Sequence, residues 1–411
     1  MVWLSIRYML SGKSLMLMKH LFPVLFFAGL LAACTAGKEE EASRDVVRFE
    51  VENARQKSFF DYFERVDLIP LETTDSSVVA DYPQRIELYR DTLLLLYPGS
   101  GSGKGIFRFD AKDGHFIDRF YQVGEGPDDH LMISDCHINP YTGMLTVYEP
   151  TIGRLSVYDW ASRTRVASAD LRSKWGSVFG VNYFFPLSAD KYVFFSGYVP
   201  KGMENRGQLF FYDFSTDSLY RQKLDIPEIV LQTSYISTSH PFSRVDDDVL
   251  LALPYLYTIY RYDGEYFVPE KRFDFGKYGC IEDFYLAPTD TRTSSQQIDY
   301  LFDSDDKYIN IASVPMYTAG RMMFAGRHDK RYPLLVFDRK TQEACVVDGL
   351  QEGVHVFPDV GQEQGRAYRL CGVSEVGKYV NEKVLDEKNR AILERLEEDS
   401  NPILLRYTLK E

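Results

Sequence analysis

Ile106-Phe107-Arg108-Phe109-Asp110 is an apolar run that ends in an aromatic residue and then an aspartate. The pattern returns as Leu155-Ser156-Val157-Tyr158-Asp159, Leu209-Phe210-Phe211-Tyr212-Asp213, Ile259-Tyr260-Arg261-Tyr262-Asp263 and Leu334-Leu335-Val336-Phe337-Asp338. Successive aspartates lie 49, 54, 50 and 75 residues apart. Recurrence at this period in a strand-rich chain means that one small sheet has been copied, and a β-propeller is the architecture built that way. Each run then reads as the third strand of a blade, with its aspartate at the turn that leads to the outer strand.

Outward from Asp110, residues 85–89, 92–97, 106–110 and 115–121 read as four strands joined by turns such as Lys112-Asp113-Gly114. The second copy uses 136–138, 144–148, 155–159 and 166–171, and the third 183–185, 192–195, 209–213 and 219–224. Three strands each are legible in the fourth copy, at 249–253, 259–263 and 267–275, and in the fifth, at 322–325, 334–338 and 344–348. Residues 403–409 begin a sixth blade that needs an N-terminal strand, from candidates at 46–51 and 63–72, to complete it. Closure of that kind removes the exposed edges of an open sheet. The fold class is therefore all-β, a six-bladed propeller of four-stranded antiparallel blades closed by N- and C-terminal strands. One side helix is expected between residues 377 and 399, where Leu385, Ile392, Leu393 and Leu396 recur at helical spacing.

Composition agrees. Aromatic residues make up 15% of the chain, with Tyr and Phe far outnumbering Trp, which favours packed sheet faces over helices. Three basic residues and no acidic ones precede Cys34, so the chain beyond it carries 44 Lys and Arg against 60 Asp and Glu, a balance of −16. Such a surface repels phosphate backbones, and nucleic acid is excluded as a partner.

Met18-Lys19-His20 and the apolar run 21–33 read as a signal peptide, the run being shorter than the roughly 20 residues that span a bilayer. Met18 is the expected start. The run ends Leu31-Ala32-Ala33-Cys34, which resembles the lipobox of bacterial lipoproteins, with Cys34 as the lipidated residue. Residues 34–44, small and then acidic through Glu39-Glu40-Glu41, form a flexible tether, leaving 45–411 for the propeller. The expected address is an outer-membrane lipoprotein, periplasmic or surface-exposed, held by acyl chains.

Ile69-Pro70-Leu71-Glu72-Thr73-Thr74, Gly124-Glu125-Gly126-Pro127, Thr258-Ile259-Tyr260 with Phe273-Asp274-Phe275-Gly276, and Asn401-Pro402-Ile403-Leu404 resemble motifs of the six-bladed β-propeller lipoprotein family of Gram-negative gut-type anaerobes, an NHL-like group. The resemblance implies the fold and the address, and little activity, since most of that family has none assigned. Asp128, Asp129 and His130 depart from the Gly, Glu and aromatic residue expected after the glycine turn, whose glycines suit a tight turn with positive φ.

Motifs that would carry chemistry fail one after another. In residues 99–105 Pro98 stands where a phosphate loop needs its first glycine, Gly105 replaces the Ser/Thr, and the loop joins two strands. No G-x-S-x-G or H-E-x-x-H occurs. Asp303-Ser304-Asp305-Asp306 lacks the EF-hand glycine, and Asp246-Asp247-Asp248 reads as a solvated turn. Cys136 and His137 are adjacent on a strand and point to opposite faces, so both are assigned to packing. No metal site and no cofactor is expected. Cys345 and Cys371 are the closest pair able to oxidise after export.

One constellation survives. In a propeller the loops between second and third strands share a face with the loops linking blades. Here they carry Lys104, Arg154, Lys201, Arg206, Arg327, His328 and Arg331, with Tyr255 and Tyr257 from the fourth blade. Arginine forks bind carboxylates or sulfates and tyrosine faces stack on sugars, so the expected function is a lipid-anchored binding or scaffolding module for an acidic glycan, peptide or partner protein. The alternative is a propeller lyase or glycan hydrolase, which would gather carboxylates and histidines in one pocket at the central channel.

Overall fold

In the structure, a computed structural model, the repeated aspartates explain themselves. Oδ1 of each accepts the backbone N–H two or three residues on: Lys112 to Asp110 at 2.6 Å, Ser162 to Asp159 at 2.7 Å, Ser215 to Asp213 at 2.8 Å, Glu265 to Asp263 at 2.9 Å and Lys340 to Asp338 at 2.8 Å. A short carboxylate thus replaces a backbone turn bond. Each copy needs one where its third strand turns into its fourth. Described are residues 46–99, 101–126, 128–175, 183–196, 207–226, 240–245, 247–253, 256–279, 307–311 and 315–411.

The first blade is Arg85–Tyr89, Thr92–Tyr97, Gly105–Asp110 and Phe116–Phe120; the second is Asp135–Ile138, Leu145–Glu149, Arg154–Tyr158 and Arg165–Asp170. The third is Tyr183–Pro186, Lys191–Phe195, Gln208–Asp213 and Ser218–Lys223, and the fourth Phe242–Val245, Asp248–Ala252, Thr258–Tyr262 and Phe267–Asp274. The fifth is built on Arg321–Arg327, Leu334–Asp338 and Ala344–Leu350, with the short pieces Asn310–Ile311 and Met316–Tyr317 on its inner edge and Arg55–Lys57 running parallel on its outer edge. In the sixth, Gly361–Glu363, Arg366–Cys371 and Ile403–Leu409 are followed by Phe63–Pro70 as the outermost strand.

The N-terminal strand therefore closes the ring against the C-terminal one, as the sequence requires. Its ladder runs from Ile403 opposite Pro70 to Thr408 opposite Arg65. The innermost strands of the fourth, fifth and sixth blades escape the sequence reading. They are short, and those at Phe242–Val245 and Gly361–Glu363 carry Ser243, Arg244, Gln362 and Glu363 where an apolar pattern would be sought.

Aromatic layers join the blades. Leu94, Leu96 and Phe120 of the first meet Cys136, Leu145, Val147 and Tyr158 of the second, with Phe120 5.1 Å from Tyr158. Between the fourth and fifth, Phe273 lies 5.0 Å from Phe324. Burying one such side chain fully contributes about 1.5–3 kcal/mol.

The expected side helix is Glu387–Leu393, capped by Asp386, whose Oδ1 accepts the Asn389 N–H at 2.8 Å. It is shorter than its periodic window: a 3-10 turn, Val373–Lys378, ends as the window opens, and turns occupy the residues between it and Asp386. Ile392, Leu393 and Leu396 pack on the core shared by the last two blades, and buried Asn389 accepts the Leu68 N–H at 2.7 Å. Cys136, Cys345 and Cys371 are free thiols. Among the described residues no helix is long and apolar enough to cross a membrane.

Candidate functional site

Side chains two apart on a strand share a face. Arg85 and Glu87 occupy such positions in the first blade and Asp135 and His137 in the second. His240 stands just before the innermost strand of the fourth. These groups converge: Asp135 Oδ2 lies 3.1 Å from His240 Nε2 and 3.5 Å from His137 Nε2, while His137 Nδ1 lies 3.0 Å from Glu87 Oε2. Arg85 Nε approaches Asp135 Oδ1 at 3.5 Å.

Backbone groups hold the cluster. The Phe184 N–H donates to Asp135 Oδ2 and the Cys136 N–H to Oδ1, each at 3.0 Å. His240 Nδ1 lies 3.0 Å from the Phe242 carbonyl. The surroundings are otherwise apolar, with Phe184 and Phe185 at 4.8 and 5.0 Å from the His137 ring. Asp135 is 1% and His137 0% exposed.

Burial alone would raise the Asp135 carboxyl, but the two imidazoles, His240 first, outweigh it and hold it well below the usual range. His137, which burial would lower, is raised by Glu87 and Asp135. His240 is pushed down to about 4, by burial and then by the Arg85 guanidinium, against the pull of Asp135. The cluster is thus a buried carboxylate facing one imidazole held toward its charged form and one held neutral.

A cleft of about 440 Å³ opens beside it, walled by residues of the first, second, third, fourth and sixth blades. It runs from Arg85, His240 and Asp359, at the starts of the inner strands, to Arg90, Pro140, Pro186 and Gln364, at the turns where those strands end. Arg244 crosses it, donating to the Pro186 carbonyl at 2.9 Å and the Tyr141 hydroxyl at 3.2 Å. Asp359, exposed on this side of the cleft, pairs with Arg369 at 3.0 Å.

The residues singled out from sequence are placed differently. Arg154 spends its guanidinium on buried Glu149, at 2.7 Å, and on the Asp129 carbonyl, at 3.0 Å. Tyr257 is buried, donating its hydroxyl to the Ile309 carbonyl at 2.6 Å. Arg327 and His328 end an inner strand of the fifth blade; His328 stacks edge-on to Tyr278 at 5.0 Å, and Arg331 pairs with Asp348 at 2.6 Å and Asp329 at 2.7 Å. So Arg327, His328 and Arg331 share one turn, while Arg154 sits on another blade with its fork engaged. Cys34, Lys201, Arg206, Tyr255 and the 303–306 acidic run lie outside the described residues.

His137 is buried as expected, but among polar groups rather than in packing; Cys136, beside it, does pack between blades. The signal that could have found the channel cluster is the charged pair two apart on each inner strand, Arg85 with Glu87 and Asp135 with His137. His240 carries no such signal, because its strand was not legible. The glycine turn also differs in cause: Gly124 and Gly126 do not take positive φ, but leave room for the Asp129 carboxylate.

The family described as domain of unknown function DUF4934 matches residues 45–408, and this chain belongs to it. No curated protein matches the sequence. Among solved structures, a Bacteroides fragilis protein described as exported is 18% identical, covering 89% of this chain and 100% of its own, with a TM-score of 0.65. A DUF4221 family member from Bacteroides vulgatus is 11% identical, covering 85% of this chain and 97% of its own, with a TM-score of 0.54. At these identities the likeness is one of fold.

Proposed function

We propose that this chain, as a DUF4934 family member, is an exported, lipid-anchored propeller that binds a polar ligand in its channel cleft and serves the cell envelope as a binding or scaffolding module. One observation carries the reading: the cleft wall interleaves the cations Arg85, Arg90 and Arg244 with the aromatic faces of Tyr89 and Phe185. Guanidinium forks and ring faces together suit an acidic glycan or an acidic peptide. The fold shared with an exported Bacteroides protein and the Leu31-Ala32-Ala33-Cys34 lipobox support an outer-membrane address, on the periplasmic or outer side. The lyase or hydrolase alternative asks for convergent carboxylates and histidines in the pocket. Asp135 and His137 lie behind the wall, while His240, Glu87, Asp359 and Glu363 line the cleft, so a turnover assay is what separates the two readings.

The test is retention on acidic-glycan and acidic-peptide arrays of the full-length protein in detergent. Arg90→Ala with Arg244→Ala should weaken retention about tenfold or more, each lost charged hydrogen bond being worth about 1.5–3 kcal/mol. Retention unchanged in that variant but lost when Arg206, Arg327 and Arg331 are replaced would move the ligand to the loop face. Turnover of a retained glycan would overturn the binding reading. Cys34→Ala should release the protein from membranes; membrane association that persists would count against the anchor.

A further inference from the structure

The cluster behind the cleft wall has the geometry of a metal centre. Asp135 and His137 come from one strand of the second blade and His240 from the fourth, and their donor atoms Oδ2, Nε2 and Nε2 lie within 4.8 Å of one another. The distances of 3.1 and 3.5 Å from Asp135 Oδ2 to the two imidazole nitrogens bracket the spacing of roughly 3.3–3.4 Å between donors on a tetrahedral ion with arms of about 2.0–2.1 Å.

The other ends of the ligands are held as metal ligands are. His137 Nδ1 faces Glu87 Oε2 at 3.0 Å and His240 Nδ1 faces the Phe242 carbonyl at 3.0 Å, acceptors of the kind that back a metal-binding imidazole; Arg85 Nη2 at 3.5 Å from His137 Nδ1 and the Phe242 N–H at 3.3 Å from His240 Nδ1 are the donors nearby. His137 Nε2, fully buried, has no hydrogen-bond partner although it is aimed at the centre of the group. An orphaned buried nitrogen is costly, and an ion would satisfy it. With both imidazoles neutral, as ligands must be, Asp135 and Glu87 bring two negative charges against one positive charge on Arg85, so an ion would take the place of the proton on His137.

We propose that Asp135, His137 and His240 bind a zinc-like first-row divalent ion that pins the second blade to the fourth across the channel. Two imidazoles and one carboxylate suit zinc or a neighbouring transition ion better than calcium or magnesium, which take oxygen ligands. The assignment does not depend on what the cleft binds. Its chemistry is that of a cross-link, reached from the cleft where Arg85, Glu87 and His240 line the wall.

The test is the metal content of the full-length protein purified without chelator, and titration of chelator-stripped protein with Zn²⁺ and with Co²⁺ alone. The expected result is about one ion per chain, with Co²⁺ developing the intense visible absorption of a four-coordinate site. His137→Gln and His240→Gln should each abolish that absorption, and Glu87→Gln should weaken affinity roughly 10- to 100-fold. Asp135 is left intact because it also holds the Phe184 amide, and circular dichroism checks that the histidine variants are folded. Glu398→Gln, at an exposed position after the side helix and outside the cleft, should leave ion uptake unchanged. Stripped protein that takes up neither ion, or uptake that persists when both histidines are replaced, would overturn the proposal and leave a hydrogen-bonded cluster only. Array retention by metal-free protein is measured separately, so either reading can fail while the other stands.

Discussion

Asp129 and Gly126 share one small volume: a Cβ on Gly126 would lie 2.8 Å from Asp129 Oδ2, which instead accepts the Gly126 N–H at 2.9 Å. Gly126→Ala should therefore destabilise modestly, by about 0.5–1.5 kcal/mol, as the Asp129 carboxylate swings aside and gives up the Gly126 N–H. In the Asp129→Ala background the same substitution should cost much less. Denaturant melts of the two singles and the double measure the coupling; additive costs would mean that the two residues do not compete for space.

At the blade corners, Asp213→Asn should leave the melting temperature nearly unchanged, since the amide oxygen can still accept from Ser215 and Thr216 at that turn. Asp213→Ala should lower it. Equal losses in the two variants would show that charge, rather than the turn bond, is what the corner needs.

Asp118 receives Arg108 through two bonds, at 2.8 and 2.7 Å, and the Trp160 indole at 2.9 Å. Burial would raise its carboxyl, but the Arg108 and Trp160 hydrogen bonds outweigh that and hold it below the usual range. The sign follows: a depressed carboxyl stabilises the fold above its unfolded value of about 3.9, and that contribution is lost as pH falls through the lower folded value. Asp118→Asn should cost about 1–2 kcal/mol at pH 7, discounted for partial exposure, and little at pH values below the folded titration. Urea denaturation across acidic pH tests this; a cost that does not shrink on acidification would contradict it.

The closing ladder predicts a third kind of failure. Tyr407 is fully buried in the sixth blade, and Tyr407→Ala should cost about 3–5 kcal/mol. Removing the chain through Pro70 should instead leave Ile403–Leu409 as a bare, apolar edge, and light scattering should report association of the truncated protein. A monodisperse truncation would mean that another segment caps that edge.

What the sequence could reveal tracked hydrophobic pattern. The second and third strands of the first five blades are runs such as Thr92–Tyr97 and Leu334–Asp338, apolar because both of their faces pack on neighbouring blades, and these are legible; Arg366–Cys371 of the sixth blade, with Arg366 and Arg369 in its run, is not. Inner strands face an aqueous channel on one side, so Gly361–Glu363 reads as a loop. The channel cluster was hidden for the same reason, and because Asp135 and His240 meet across 105 residues that no local spacing encodes. Tyr257 was drawn in as an exposed stacking surface; its hydroxyl goes instead to a backbone carbonyl that only the tertiary fold brings near.

The strand Phe63–Pro70 is made early and finds its partner last. Asp67 and Arg406, paired at 3.1 Å, are 339 residues apart, so at a synthesis rate of about 5–20 residues per second the first strand waits on the order of tens of seconds for its ladder. Throughout that interval the ring is open. Closing it needs a contact of very long sequence separation, the kind that slows folding.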